Sequence, residues 1–398
     1  MNTRSQKPND KQAVAHVPVH QIRNVPSMVR LLLFVAAGGR CEFDGCNKYV
    51  LAHHVTLTPG VFAEVAHIVA FEPEGPRGDQ KERPSDIHDA ENLMVLCPAC
   101  HKLIDDHPAQ YTVRALREYK RSHEQHIHHM TSLRPEHRTS VLTLTANIGD
   151  QGAFIPFDQV IEALSPNYPV SKPGKVIDLT ALPISDAVTL AAAREAIRRG
   201  VASLLDAGGE VQTVRHLSIF ALAPIPLLVD LGARLSNKIP TDLYQRHRDT
   251  ENWTWKEAGQ PVEYEFNIVR EGTDAEKAAL MLSLSGTIRQ QNLPGEIDGR
   301  YSVYELTLKG QAPNPTFLRT RADLEAFRIA YQALIAFILQ RQGIVKNLHV
   351  FPAVPAPIAI LCGRELLPKV HPELHVYDFD KQRAGFTFQL KVNSHGHE

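Results

Sequence analysis

Apolar positions mark out the elements of this chain. Met28, Leu31, Leu32 and Val35 recur at helical spacing after Pro26, and Gly38-Gly39 stops the run, which predicts a helix over 26–37. Residues 61–71 read as a strand, 72–79 as a polar loop rich in Glu, Pro and Gly, and 92–96 as a second strand, after which Pro98 opens a helix. A longer helix is expected over 111–129, with Val113, Leu116, Tyr119 and Lys120 on one side. A new rhythm follows. Strands are expected at 141–148, 217–223 and 348–354, and helices at 186–205 and 322–342. Strands alternating with helices predict an α/β domain with a largely parallel sheet.

The C-terminal part repeats itself at an offset of 131 residues. Phe220-Ala221-Leu222-Ala223-Pro224-Ile225-Pro226-Leu227 matches Phe351-Pro352-Ala353-Val354-Pro355-Ala356-Pro357-Ile358. The match runs on through Gly232 and Gly363, Leu235 and Leu366, Lys238 and Lys369, and Leu243 and Leu374. Each copy reads strand, Pro-x-Pro turn, helix, because Pro cannot donate to a strand ladder. A duplicated unit of this kind brings the carboxyl ends of two equivalent strands close to a pseudo-two-fold axis, and ligands of open α/β sheets bind at such ends.

Composition adds bounds. With 398 residues, 43% hydrophobic and 22% charged, the chain is a globular protein of two or three domains. A formal charge of −1 gives no global nucleic-acid signature, so any DNA contact must come from a local patch. The start is polar and has no apolar signal core, and the apolar runs at 31–37 and 219–229 are too short to span a bilayer. The expected location is the cytoplasm, where cysteines serve as metal ligands more often than as disulfides. Thirteen of the 20 His lie before residue 140, which concentrates metal or acid–base chemistry there. Cys362, alone in an apolar run, reads as a core residue.

The other four cysteines form two close pairs, Cys41 with Cys46 and Cys97 with Cys100. Two pairs about fifty residues apart are a standard way to build a tetrahedral thiolate zinc site, and four thiolates leave no open position, so the zinc is structural. Between and beside the pairs lie His67 in Glu64-Val65-Ala66-His67-Ile68, then Asn92, then His101 directly after the second pair. This order and cysteine frame resemble the HNH endonucleases in their zinc-stapled form, over roughly residues 25–130 and including Lys120-Arg121-Ser122-His123-Glu124.

The resemblance implies an α+β zinc-stapled ββα-metal nuclease domain. His67 matches the catalytic histidine, His101 the metal-binding one, and Asn92 the asparagine that orients the base. The cation would be Mg²⁺ or a similar divalent ion. One position departs from the pattern: Ala66 stands where many members carry a metal-binding Asp or His, which leaves Asn92 and Glu64 as candidates for the second ligand. Asp105, Asp106 and His107 read as helix decoration, and His53, His54, His126, His128 and His129 as solvated surface. A zinc-finger DNA binder without catalysis has no use for the His–Asn–His order.

The HNH module followed by the duplicated half resembles the HNH–SAVED effectors of bacterial cyclic-oligonucleotide anti-phage signalling (CBASS). That implies an α/β SAVED domain of two fused Rossmann-like (CARF-like) units that senses a cyclic di- or trinucleotide made by a cognate cyclase. It implies double-stranded DNA as substrate, abortive infection as outcome, and a homo-oligomer that is a dimer at rest and larger when active. The alternative is an HNH restriction endonuclease whose C-terminal domain reads DNA sequence or modified bases. Aromatics and cations supply the candidate ligand contacts: Trp253, Trp255, Lys256, Lys238, Arg246, Arg248, Arg364 and Lys369, with Pro224 and Pro355 of the turns. The expected domains are a flexible start at 1–22, the nuclease at 23–134, a linker at 135–145 and the sensor at 146–398.

Overall fold

A computed structural model describes residues 24–78, 83–149, 151–235, 239–257, 259 and 261–393. The expected flexible start, 1–22, lies outside the described residues. The chain divides into two compact units, 1–133 and 134–398.

In the first unit, α1 (Ser27–Ala36) enters after Pro26, and Gly38 and Gly39 take left-handed conformations at its end. The stripe of Met28, Leu31, Leu32 and Val35 faces outward, each residue more than half exposed, while Leu33 and Ala37 enter the core. β1 (Glu64–His67) and β2 (Leu93–Leu96) pair antiparallel, with His67 opposite Leu93. The strand expected at 61–71 is thus only four residues long. Its flanks bond elsewhere: Phe62 N–H reaches Val50 O, and Ile68 N–H reaches Asn92 O. Asn92 closes a 3-10 turn (Ala90–Asn92) instead of opening β2. α2 (Pro98–Asp106) follows at once, with Pro98 in the first turn, where a missing N–H costs nothing. Thr112 caps α3 (Val113–Ser132) by accepting from Ala115 N–H. The core is aliphatic, with Val50, Ala66, Ile68, Leu93–Leu96, Ile104 and Leu116, and includes Cys41 and Cys97.

The second unit opens with β3 (Arg138–Thr145), α4 (Phe157–Leu164), β4 (Tyr168–Pro169), β5 (Lys175–Asp178), α5 (Ala187–Leu205), α6 (Glu210–Val214), β6 (Leu217–Leu222), α7 (Ile225–Arg234) and β7 (Thr241–Tyr244). It continues with β8 (Tyr264–Arg270), β9 (Lys277–Ser283), β10 (Ser302–Leu308), α8 (Arg321–Gln342), β11 (Asn347–Ala353), α9 (Ala356–Arg364), β12 (Glu373–Asp380) and β13 (Gly385–Val392). The linker expected at 135–145 is corrected: a 3-10 turn at Pro135–His137 leads straight into β3, which is buried from Thr139 to Thr145. Its hydroxyls look polar in the sequence but find partners inside the fold. Thr139 Oγ1 lies 2.9 Å from Ser218 Oγ, and Thr145 Oγ1 donates to Asp178 at 3.0 Å.

Both halves are Rossmann-like. β3, β5, β6 and β7 form a parallel sheet in the order β5-β3-β6-β7, with β4 also on the edge of β3. β9, β10, β11 and β12 repeat that order as β10-β9-β11-β12, flanked by antiparallel β8 and β13. The order puts a topological switch point between the first and third strand of each half.

The 131-residue repeat is carried by close contact between α7 and α9. A Cβ on Gly232 would stand 1.9 Å from Ile360 O, and one on Gly363 would stand 2.0 Å from Val229 O. Ile360 stands to Val229 as Gly363 stands to Gly232, so exchanging the halves maps this contact onto itself. The match slips after the helices. Ile219 of β6 pairs with Leu243, whereas its counterpart Val350 pairs with Val376, so Leu243 corresponds to Val376 and not to Leu374.

Candidate active site and ligand pocket

The four cysteine sulfurs converge to within 4.8 Å of one another. Cys46 N–H closes the knuckle onto Phe43 O, with Gly45 left-handed in the turn. Cys97 and Cys100 sit at the start of α2. Burial pushes the Cys41 thiol up to about 12 and raises Cys100 as well. Burial also works against Cys97, but hydrogen bonds from Cys100, Cys41 and Cys46 hold it below its usual value. Four convergent sulfurs with one favoured thiolate form a donor set that fits a thiophilic ion such as zinc.

His67 projects from the end of β1, and its Nε2 lies 3.4 Å from Nδ1 of His88. Phe71 packs edge-on to His67 and tilts against His88. Asn92 is buried and its amide is fully used: Oδ1 accepts from Val69 N–H at 2.9 Å, and Nδ2 donates to Val69 O and Ile87 O. That fixes the backbone just after His67 and just before His88. With one Oδ1 lone pair and both Nδ2 protons engaged, Asn92 acts here as a backbone anchor.

His101 Nδ1 meets the Glu64 carboxylate, and its Nε2 lies 3.3 Å from Asp105 Oδ2. Glu64 and Ala66 share one face of β1, since strand side chains alternate. A carboxylate at position 64 thus lies on the face where position 66 carries none. Asp105, read from the sequence as decoration, is held here by Arg77. The buried Arg77 guanidinium donates to Asp105 Oδ1 at 3.0 Å, to Ile68 O at 2.9 Å and to Ile104 O at 2.6 Å. Asp106 pairs with Lys102 at the surface. Sequence reasoning missed His88 and Arg77, and no spacing rule marks either one.

A cavity of about 610 Å³ opens at the carboxyl ends of the strands in the second unit. Both Pro-x-Pro turns line it, through Pro224 and Ile225 from one half and Pro355 and Ala356 from the other. Ile225 and Ala356 begin α7 and α9, so two helix N-termini face one space. Gln245, Arg246, His247, Arg248, Glu251, Ser285 and Asp378 add polar and charged side chains to the lining. Among the described residues, His247 Nε2 and Gln245 Oε1 are buried without a hydrogen-bond partner. Burial lowers the His247 pKa and raises that of Asp378.

The other expected ligand contacts fare differently. Trp253 is fully buried against Phe220, which stacks on Tyr244 at 4.2 Å, so it is core and presents no stacking face. Trp255 is half-buried and donates Nε1–H to Leu243 O. Lys256 is tied to Thr250 at 2.8 Å and Asp249 at 3.8 Å. Arg364 donates to Ile239 O, and Lys369 is exposed in a turn with a left-handed backbone. None of these five lines the cavity. Lys238 lies outside the described residues. Gln245, His247 and Asp378 were missed because they arrive on loops and strand ends with no motif.

Two family models match. Residues 41–108 match the HNH endonuclease family, and residues 197–392 match the SAVED family, the SMODS-associated and fused to various effectors sensor domain. The chain is an HNH endonuclease module fused to a SAVED sensor module. A comparison with curated proteins gives no match. Among solved structures, the SAVED/CARF-domain receptor Cap4 of Acinetobacter baumannii, determined with the cyclic trinucleotide 3'3'3'-cAAA, is similar at 14% identity and TM-score 0.42, over 77% of this chain and 65% of that one. Cap4 of Moraxella osloensis is similar at 12% identity and TM-score 0.36, over 77% of this chain and 66% of that one. The HNH–SAVED chain thus spans just under two thirds of the length of these receptors. Among its described residues, no helix is long and apolar enough to cross a membrane.

Proposed function

We propose that this HNH–SAVED chain cuts double-stranded DNA when a cyclic di- or trinucleotide fills its SAVED cavity, as the effector of a bacterial anti-phage signalling system. The observation that supports it most is the cavity, which both halves of the repeat line in a chain that also carries a nuclease constellation. Two helix N-termini with Arg246 and Arg248 suit the phosphates of a cyclic nucleotide, and the unpaired atoms of His247 and Gln245 suit base edges. A volume of about 610 Å³ is in the range of small-molecule sites.

In the HNH module, His67 takes the proton of the attacking water. His88 holds the His67 ring in place. Asn92 fixes the backbone that carries both. Glu64, His101 and Asp105 offer two carboxylates and an imidazole, a donor set that fits Mg²⁺ or a similar divalent ion. Such an ion, when bound, stabilises negative charge on the phosphate. Cys41, Cys46, Cys97 and Cys100 would hold a structural zinc. The nucleotide, made by a partner cyclase, binds the active assembly more tightly than the resting dimer and so shifts the population. Host death or arrest is the outcome.

The test is a plasmid-nicking assay with Mg²⁺ and a panel of cyclic di- and trinucleotides, run beside sedimentation. Nicking that needs one nucleotide and coincides with a larger species is the expected result. Equal nicking without any nucleotide and no change in size would make the chain a restriction enzyme instead.

A further inference from the structure

Between Cys46 and β1 the chain builds an arm that the catalytic constellation leaves unused. Residues 48–62 double back on themselves: Phe62 N–H bonds Val50 O, Gly60 N–H bonds Leu51 O, and His53 N–H bonds Thr58 O. The base is stapled to the zinc knuckle, with Cys41 N–H on Lys48 O and Val50 N–H on Gly39 O. The far end leads directly into the strand that carries Glu64 and His67. Its tip is apolar and open, with Val55 71% and Leu57 74% exposed. Leu57 holds a left-handed φ of 58°, a conformation that disfavours any L-residue with a branched side chain. Leu57 N–H on His53 O, and the mutual bonds of His53, Thr56 and Thr58, keep it there. A soluble fold gains nothing by straining a leucine into water. Charge narrows the occupant: residues 47–63 contain no Asp or Glu and carry the cation Lys48, with the hydrogen-bonding rings of His53 and His54.

We propose that this arm is a duplex-DNA wedge, with Leu57 and Val55 entering between base steps while Lys48 and the two histidines lie along the phosphates. Unstacking a step kinks the duplex, which would bring a phosphate toward His67 at the other end of the same segment. The inference rests on DNA being the substrate of the HNH module.

The test uses the full-length chain with His67→Ala to stop cleavage, and a duplex of about 30 base pairs carrying 2-aminopurine. The parent should raise 2-aminopurine fluorescence on binding. Leu57→Gly removes the wedge and relieves the strained φ, so its melting temperature and zinc content should hold. It should lose the fluorescence rise and bind the duplex about tenfold more weakly, a shift of about 1.4 kcal/mol. Binding and fluorescence equal to the parent would overturn the inference, as would a change confined to the sedimentation coefficient, which would assign the tip to a second copy of the chain. Val55→Ser gives an independent second reading. If the enzyme with intact His67 nicks no plasmid and the parent binds no duplex, it is the DNA reading that has failed.

Discussion

The HNH unit and the SAVED unit keep their sites in place by different means. Around the nuclease the core is small, and two of its buried members, Cys41 and Cys97, belong to the thiolate cluster itself. Around the sensor cavity a large apolar core runs through two sheets with parallel centres, and its most demanding contact is backbone against backbone at Gly232 and Gly363. The first unit therefore depends on the chemistry of a few side chains. The second depends on shape distributed over a repeat. The difference decides what a mutation can break and also what a sequence can reveal.

The sharpest test of the contrast is removal of one thiol. Cys97→Ser should leave the first unit unable to hold zinc or to fold, since structural zinc contributes about 10–16 kcal/mol in small zinc modules. The second unit should melt as before. Metal analysis with two-transition calorimetry reads both. A folded first unit without zinc would mean that its aliphatic core suffices, and the contrast would collapse. His67→Ala should act within the same unit without touching its fold. Nicking should fall by about 10²–10⁴-fold, the usual worth of a general base. Zinc content should be unchanged, and a wild-type rate would remove His67 from the mechanism.

These expectations come from a region where the sequence was easy to read. Paired cysteines and a His–Asn–His order are demands on identity: His67 ends β1, Asn92 closes the turn before β2, and His101 lies in α2 just after it. What escaped was supplied through space. His88 and Arg77 come from the long loop between β1 and β2, whereas Glu64, a candidate in the sequence, meets His101. In the SAVED unit the legible part was the repeat, since matched prolines and glycines mark turns and close approaches. Pro224 and Pro355 do line the cavity. The tryptophans misled, because rarity and a polar neighbourhood say nothing about which way a ring points, and Trp253 points inward. The 135–145 linker misled for a related reason: its hydroxyls are paired inside a sheet.

Arg246 tests whether the sensor cavity is a phosphate site. Arg246→Ala should raise the nucleotide concentration needed for nicking about tenfold, the loss of one charge-assisted contact, with full activity recovered at saturation. Dose–response curves for nicking check it. An unchanged midpoint would place the phosphates elsewhere in the cavity.

The repeat itself is tested at its glycines. Gly232→Ala puts a methyl group 1.9 Å from Ile360 O, and Gly363→Ala puts one 2.0 Å from Val229 O. Each should cost about 1–3 kcal/mol as α7 and α9 move apart. The two should be alike, and the double variant should cost less than their sum, because the first already opens the shared contact. Denaturant melts of the full chain measure this. Strict additivity would show two separate contacts and no shared crossing.

The smallest expected effect concerns His349, on the face of β11 away from that helix crossing. Burial, with the nearby charges of His375 and Lys391, lowers its pKa to about 4. Its ring meets His375 at 4.8 Å, Tyr301 at 5.2 Å and Tyr377 at 5.7 Å. Tyr377 donates its one hydroxyl proton to Glu296 at 2.9 Å and so accepts from Nδ1–H of His349, also at 2.9 Å. Either ring form can make that donation, and it is burial that favours the neutral one. Because the folded value lies below the unfolded one near 6.5, the unfolded chain takes up the proton first as pH falls. The stabilisation is complete above about pH 6.5 and drains away toward pH 4. His349→Asn keeps a donor for Tyr377 and removes the titration. The stability difference between wild type and variant should therefore shrink between pH 7 and pH 5. Parallel stability–pH curves for the two proteins would show that His349 is not held neutral in the fold.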